Sequence, residues 1–334
     1  IIYMFPKLKK LFMLDSNIIH LNHGSYGATP KPIFNSLINW QKKLEENPTK
    51  HLGYDIFEHL ERSRNSLSKY INCHKDDIAF FPNPSTALNT VIKSLALKPN
   101  DEILTTNHEY GALDKAWDFI TSKTKSHYIK VEIPVPLLSH KDFINRIESN
   151  ITDKTRAIYL SHITSATGLI FPIKEIIELA DKYGILSIID GAHVPGHIDL
   201  NIAELIPDIY TGTCHKWLLC PKGVSFLYVK KEIQNQIDPL IISWGYNNEE
   251  VERSRFQDEH LWQGTRDMSP FLTIPKAIDF RKKYNWNSVS VLCKQKILEF
   301  GQEIKNDLKL NPICKINSKF LGQMISFDLK IPPK

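Results

Sequence analysis

The stretch that decides the fold is DIYTGTCHKWLLCPKGVSFLYV, residues 208–229. Both of its ends are short apolar runs of the kind that form fully buried strands. At its centre Lys216 stands between His215 and Trp217, two residues after the thiol of Cys214. A core rarely accepts a lysine without a partner, because an ammonium is costly to remove from water. Lys216 therefore calls for an anion or for a chemical task.

Outward from this stretch, the preceding segments repeat its form. DEILTTNHEYG (101–111), AIYLSHITSATG (157–168) and ILSIIDGAHVPG (185–196) each read as an apolar strand ending in polar residues. Between the last two, IKEIIELADKYG (173–184) has the apolar spacing of a helix, with Gly184 as its stop. Strand, helix, strand at this pace predicts an α/β fold, a mostly parallel sheet with helices on both faces. Ligands of such sheets sit beyond the carboxyl ends of the strands. That edge is where His108 and Tyr110, the residues from Ser161 to Thr167, Asp190 and His193, and finally His215 and Lys216 collect.

Composition sets the bounds. The chain has 334 residues, enough for one large domain and a smaller companion, and its 42% hydrophobic content supports a sizeable core. A formal net charge of +5, with no basic run of five or more, gives no footprint for nucleic acid. No apolar run is long enough to span a membrane, and the start IIYMFPKLKKLFML lacks the layout of an export signal. Five cysteines without a CxxC pair read as free thiols in a reducing cytosol, so the expected location is cytoplasmic.

Two chemistries could explain Lys216. Asp190 ends a continuously apolar strand, where a carboxylate needs a facing cation, and Lys216 lies one strand later. One reading is a buried structural ion pair. The other is a pyridoxal phosphate site, in which the lysine is held as an imine to the cofactor's aldehyde and the aspartate keeps the pyridine nitrogen protonated. The second reading also needs a phosphate cradle and a ring-stacking group. FFPNPSTALNTVIKSL (80–95) runs from turn residues into a helix with Ser85 and Thr86 in its first turn, where an anion is welcome. A cap at the helix start is the plainer explanation of those two residues. Tyr110 could lie flat on the ring. A metal site at Asp190, His193 and His197 is a further alternative, but Pro195 and Gly196 argue against the helix that such spacing needs, and no metal is expected.

Seven blocks together carry a family resemblance: LNHGSYGATP, NPSTALNT, TTNHEYGA, SHITSATG, DGAHVPG, GTCHKWLLCPKGVSFLYV and WQGTRD. In this order, from about Leu21 to Phe280, the sequence resembles class V aminotransferase-fold enzymes, and within them the isopenicillin N epimerase-like subgroup. The resemblance implies the pyridoxal-phosphate-dependent transferase fold (fold type I) and an enzyme acting on an amino acid. By position, it implies that Lys216 binds the cofactor and shuttles the Cα proton, that Asp190 pairs with the pyridine nitrogen, and that His193 lies beside the ring. Tyr110 would stack on the ring, and Ser85, Thr86, Thr213 and His215 would hold the phosphate. Ser165 stands where related cysteine desulfurases have an asparagine. Thr265 matches a threonine lent to the partner subunit's phosphate, which implies a homodimer with shared sites. Asn22, His23, Ser25 and Arg266 are candidates for the substrate side.

Two departures qualify the resemblance. Cys293 and Cys314 lie in no context resembling a desulfurase's nucleophilic loop, so persulfide chemistry is disfavoured. Relatives place a substrate-gripping arginine late in the chain, whereas the last arginine here is Arg281. The expected organisation is an N-terminal arm (1–24), a large domain (25–265) and a C-terminal small domain (266–334) that looks truncated. Epimerisation, transamination and C–S lyase chemistry all fit the resemblance, with cysteine desulfurase-like chemistry kept beside the lyase reading. A catalytically impaired cofactor-binding protein is the alternative from another class.

Overall fold

The structure is a computed structural model that describes residues 5–248 and 254–329. Among these residues seven strands form one sheet: β1 Ile78–Phe81, β2 Glu102–Thr106, β3 His127–Val131, β4 Thr155–Ser161, β5 Leu186–Gly191, β6 Ile209–Thr213 and β7 Ser225–Val229. Their order across the sheet is β1-β7-β6-β5-β4-β2-β3, parallel except where β7 pairs with β1 and β6. The expected α/β architecture is the one found.

The sheet is apolar on both faces because helices cover both. Along each strand the side chains alternate. Phe80, Leu104, Ile158, Ile189 and Phe226 enter one core, while Phe81, Ile103, Tyr159, Ile188 and Leu227 enter the other. The helix Ile173–Tyr183 buries Ile173, Ile176, Ile177 and Ala180 along one stripe and ends at Gly184 with φ 64°. A left-handed residue there is the usual helix stop, and glycine adopts it without strain.

Strand order also fixes where a ligand can enter. The chain leaves β2 for β3 on one side, whereas β4 continues to β5 on the other, so the order reverses between β2 and β4. Their pairing ends at Leu104 and Ile158, and a crevice opens beyond.

The late residues divide by packing into two parts. Phe271, on the helix Ser269–Leu272, stacks on Phe80 of β1 at 5.2 Å, and the helix Ile274–Lys283 packs on the helix Ile56–Ile71. Residues just past 266 thus belong to the main core. The helix Trp286–Asp307, with only Val289 and Gly301 fully buried, is the first element of a looser character. The last pairing is short, Asn311–Pro312 with Phe327–Asp328.

Candidate active site

Beyond the strand ends lies a cavity of about 470 Å³. Its wall combines Ser25 and Tyr26 from the N-terminal segment, Asn83 to Ser85 from the turn after β1, and Tyr110 from the turn after β2. Ser161 ends β4, with Ile163 and Ser165 after it; Asp190 lies near the end of β5, with Ala192 and His193 just beyond; and Thr213 ends β6, with His215 and Lys216 following. Six segments distant in sequence converge here, five of them because the strands that lead into them all end on the same edge.

Asp190 is buried, and its neighbour across the ladder is Ser161. Its Oδ1 accepts the Ala192 N–H at 2.9 Å. Burial raises its pKa, partly opposed by the Ala192 hydrogen bond and the charge of Lys216. Lys216 makes no direct ion pair with it among the described residues; the partner of its Nζ is His193 Nε2 at 3.1 Å. Burial lowers the basicity of Lys216 and holds His193 far below the usual imidazole range. The structure therefore does not favour the bland reading of a closed Asp–Lys pair. It presents an amine and a carboxylate on the wall of one cavity.

The lysine turn is tightly made. Leu219 N–H donates to Lys216 C=O at 3.2 Å, and Leu219 sits at φ 72°, a conformation that costs energy for a bulky residue. Gly27, at φ 71°, lies against this turn. A Cβ there would fall 2.2 Å from His215 O, so only glycine lets the N-terminal segment close over it.

The candidate phosphate end has a different character. The helix Pro84–Ser94 begins at the cavity, with Ser85 on the wall. Thr86 is directed elsewhere: its N–H and its hydroxyl both donate to Asn83 Oδ1, at 2.8 and 3.1 Å, closing the helix cap. Thr213 Oγ1 is buried with no hydrogen-bond partner among the described residues. His215 donates Nδ1–H to Val224 C=O at 3.1 Å, and burial lowers its pKa to about 4.

Other sequence candidates lie outside the cavity. His23 donates to Lys216 C=O at 3.1 Å and supports the turn from behind. Asn22 is exposed and not on the wall. Thr265 and Arg266 line a separate surface pocket with Gln41, Leu52 and Asp267.

Sequence reasoning passed over Glu109. Its carboxylate fills the crevice between β2 and β4, accepting Thr106 Oγ1 at 2.7 Å and, from Ser161, the N–H at 2.7 Å and the hydroxyl at 2.6 Å. Burial pushes it up to about 7, with Asp190's charge adding to the rise. Asn83 was also missed, although asparagine before Pro-Ser-Thr is a readable cap signal.

These residues fit pyridoxal phosphate. The amine of Lys216, a buried carboxylate at the end of the neighbouring strand, an unpartnered hydroxyl at Thr213 and a helix start at Ser85 are the groups that the cofactor's aldehyde, ring nitrogen and phosphate require. Fold and site together define the class of pyridoxal-phosphate-dependent enzymes of fold type I. The chain belongs to the class V aminotransferase family, whose model matches residues 27–331. It is similar to isopenicillin N epimerase of Amycolatopsis lactamdurans, 30% identical over 332 residues, 96% of this chain and 83% of that protein. Hercynylcysteine sulfoxide lyase of Schizosaccharomyces pombe is 29% identical, covering 89% of this chain and 75% of that protein. Among solved structures, the apo cysteine desulfurase of Thermococcus onnurineus NA1 superposes with a TM-score of 0.83 at 20% identity, over 97% of this chain and 82% of that one. That likeness is one of fold. The protein is accordingly a pyridoxal-phosphate-dependent enzyme of amino-acid chemistry.

Proposed function

We propose that Lys216 carries the cofactor and removes the Cα proton of an amino-acid substrate, with Asp190 facing the ring nitrogen and His193 beside the ring. The observation that carries this reading is the Lys216 amine, of lowered basicity and 3.1 Å from His193, on one cavity wall with the buried Asp190. When bound, pyridoxal phosphate supplies an electron sink for the charge that develops at Cα. Lys216, its basicity lowered by burial, can accept a proton at Nζ and return it. Asp190 stabilises a positive charge at the ring nitrogen more strongly because water is excluded around it. Tyr110, on the wall and half exposed, offers its ring face for stacking, and Ser165 lies at the rim. Thr213 and Ser85, the latter in the first turn of the Pro84–Ser94 helix, face the phosphate position.

The named relatives divide between epimerisation at Cα and cleavage of a C–S bond. Both begin with loss of a Cα substituent, so we assign this chain the shared first step. Transfer of sulfur to a cysteine of this chain has no support, since Cys293 and Cys314 are off the cavity wall and burial raises both thiols, Cys314 to about 11. Thr265, exposed on its separate pocket, supports a homodimer in which it serves the partner's phosphate, with Arg266 beside it. Free cysteines fit a cytoplasmic location. The packing of residues 269–283 supports a domain boundary after Lys283 in place of 265.

Proton exchange tests the assignment. Incubated with single amino acids in D2O, the cofactor-loaded protein should exchange the Cα hydrogen of its substrate, and Lys216→Ala should not. Exchange undiminished in Lys216→Ala would overturn the role given to the lysine. Thiol or ammonia release alongside exchange marks a lyase; inversion without release marks an epimerase.

A further inference from the structure

Trp217 follows the lysine directly, is nearly buried and lies off the cavity wall. Its indole N–H points at His193 Nδ1, 3.5 Å away. An indole nitrogen can only donate, so His193 Nδ1 must be the lone-pair nitrogen. In the neutral ring the hydrogen then sits on Nε2, and Nε2 is the atom 3.1 Å from Lys216 Nζ. An ammonium has no lone pair to receive that N–H, whereas a neutral amine has one. We propose that Trp217 is a positioning residue that fixes His193 as the Nε2–H tautomer and thereby holds Lys216 as the neutral, nucleophilic amine.

The indole is itself held in place. His197 packs on it at 4.2 Å and His23 at 5.0 Å, while its backbone carbonyl accepts Arg281 Nη1–H at 2.9 Å. Gly196, at φ 86°, permits this approach, since a Cβ there would lie 2.4 Å from Trp217 O. Arg281 thus has a task at the lysine turn although it does not line the cavity. Phenylalanine would fill the same space as Trp217 but could not orient the imidazole.

The surrounding groups support a neutral amine. Asp190, from β5, draws Lys216 toward its charged form. Against it stands burial, and the imidazoles around it add no negative charge. His193 and His197 come from the turn after β5, His23 from the short helix His23–Tyr26, and His215 from the lysine turn itself. Burial lowers all four, His23 and His215 to about 4 and His197 to about 3. Each is uncharged at neutral pH.

The inference rests on the role given to Lys216 but is read out separately. In the purified full-length chain carrying 15N-histidine, the His193 signals, assigned by their loss in His193→Gln, should show a bare Nδ1 and a protonated Nε2. A protonated Nδ1 would overturn the proposal, and this measurement needs no Trp217 variant to fold. In Trp217→Phe the two tautomers should mix. Capture of pyridoxal 5'-phosphate by Lys216 at pH 7, trapped with borohydride and quantified on its peptide, should slow by about three- to tenfold, the size of one hydrogen bond, and its pH midpoint should rise. An unchanged tautomer and midpoint in Trp217→Phe would equally overturn it. Failure of the wild-type chain to capture the cofactor would instead sink the functional reading and leave the His193 spectrum to decide this one.

Discussion

The two ends of the cavity are finished differently. At the lysine end, Lys216 Nζ has His193, His193 has Trp217, and the Lys216 carbonyl has His23. At the proposed phosphate end, Thr213 Oγ1 is buried without a hydrogen-bond partner among the described residues, and Ser85, in the first turn of the Pro84–Ser94 helix, meets the cavity. The first arrangement needs no rearrangement before chemistry, because its donors and acceptors already face one another. The second leaves a desolvated donor unpaired, which is unfavourable until an anion arrives. On the proposed assignment, the reactive groups are ordered by the chain itself, while the anchoring groups wait for the ligand.

The contrast can be broken most forcefully at Glu109, which holds Ser161 beside Asp190 in the crevice. Burial raises its pKa from 4.5 to about 7 in the folded chain. The folded state therefore keeps a proton that the unfolded chain loses, and stability falls as pH climbs from about 4.5 through about 7. Glu109→Gln removes this titration. Denaturant unfolding across that range should show a decline flattened by on the order of 3 kcal/mol, whatever the absolute change. A decline as steep in the variant as in the wild type would locate the strain elsewhere.

A smaller effect sharpens the other end. Thr213→Val keeps the shape and deletes the unpartnered hydroxyl. The cofactor-free protein should be as stable as wild type or slightly more so, while affinity for pyridoxal phosphate, followed by titration, drops about fivefold. Opposite signs for stability and affinity are the signature of a group reserved for a ligand. Undiminished binding would show that Thr213 is ordinary packing.

Much of this was legible in the sequence, for a physical reason. A parallel sheet sends every strand's carboxyl end to one edge, so a polar residue after an apolar run is placed there by topology alone. Asp190, Lys216 and Tyr110 were found that way, Ser85 from its helix start and Thr213 through the family resemblance, and all five share one cavity. Thr86 was also chosen from its position, yet Asn83 takes up both of its donors. A hydroxyl in the first turn of a helix can serve a cap or a ligand, and sequence does not separate the two. Glu109 escaped notice because a glutamate in a turn reads as solvated, and its burial depends on β2 and β4 parting after Leu104 and Ile158. Trp217 reads as core, which it is; only the angle of its N–H gives it a further task. Thr265 and Arg266 lie on a pocket that shares no residue with the cavity, so the part proposed for them would require a second subunit.

The most direct measurement is reduction of the purified, cofactor-loaded protein with borohydride, followed by mass spectrometry of its peptides. The account requires loss of the cofactor's visible absorption and one pyridoxyl group, found on the peptide that contains Lys216 and missing in Lys216→Ala. A pyridoxyl group on another lysine, or none at all, would contradict it.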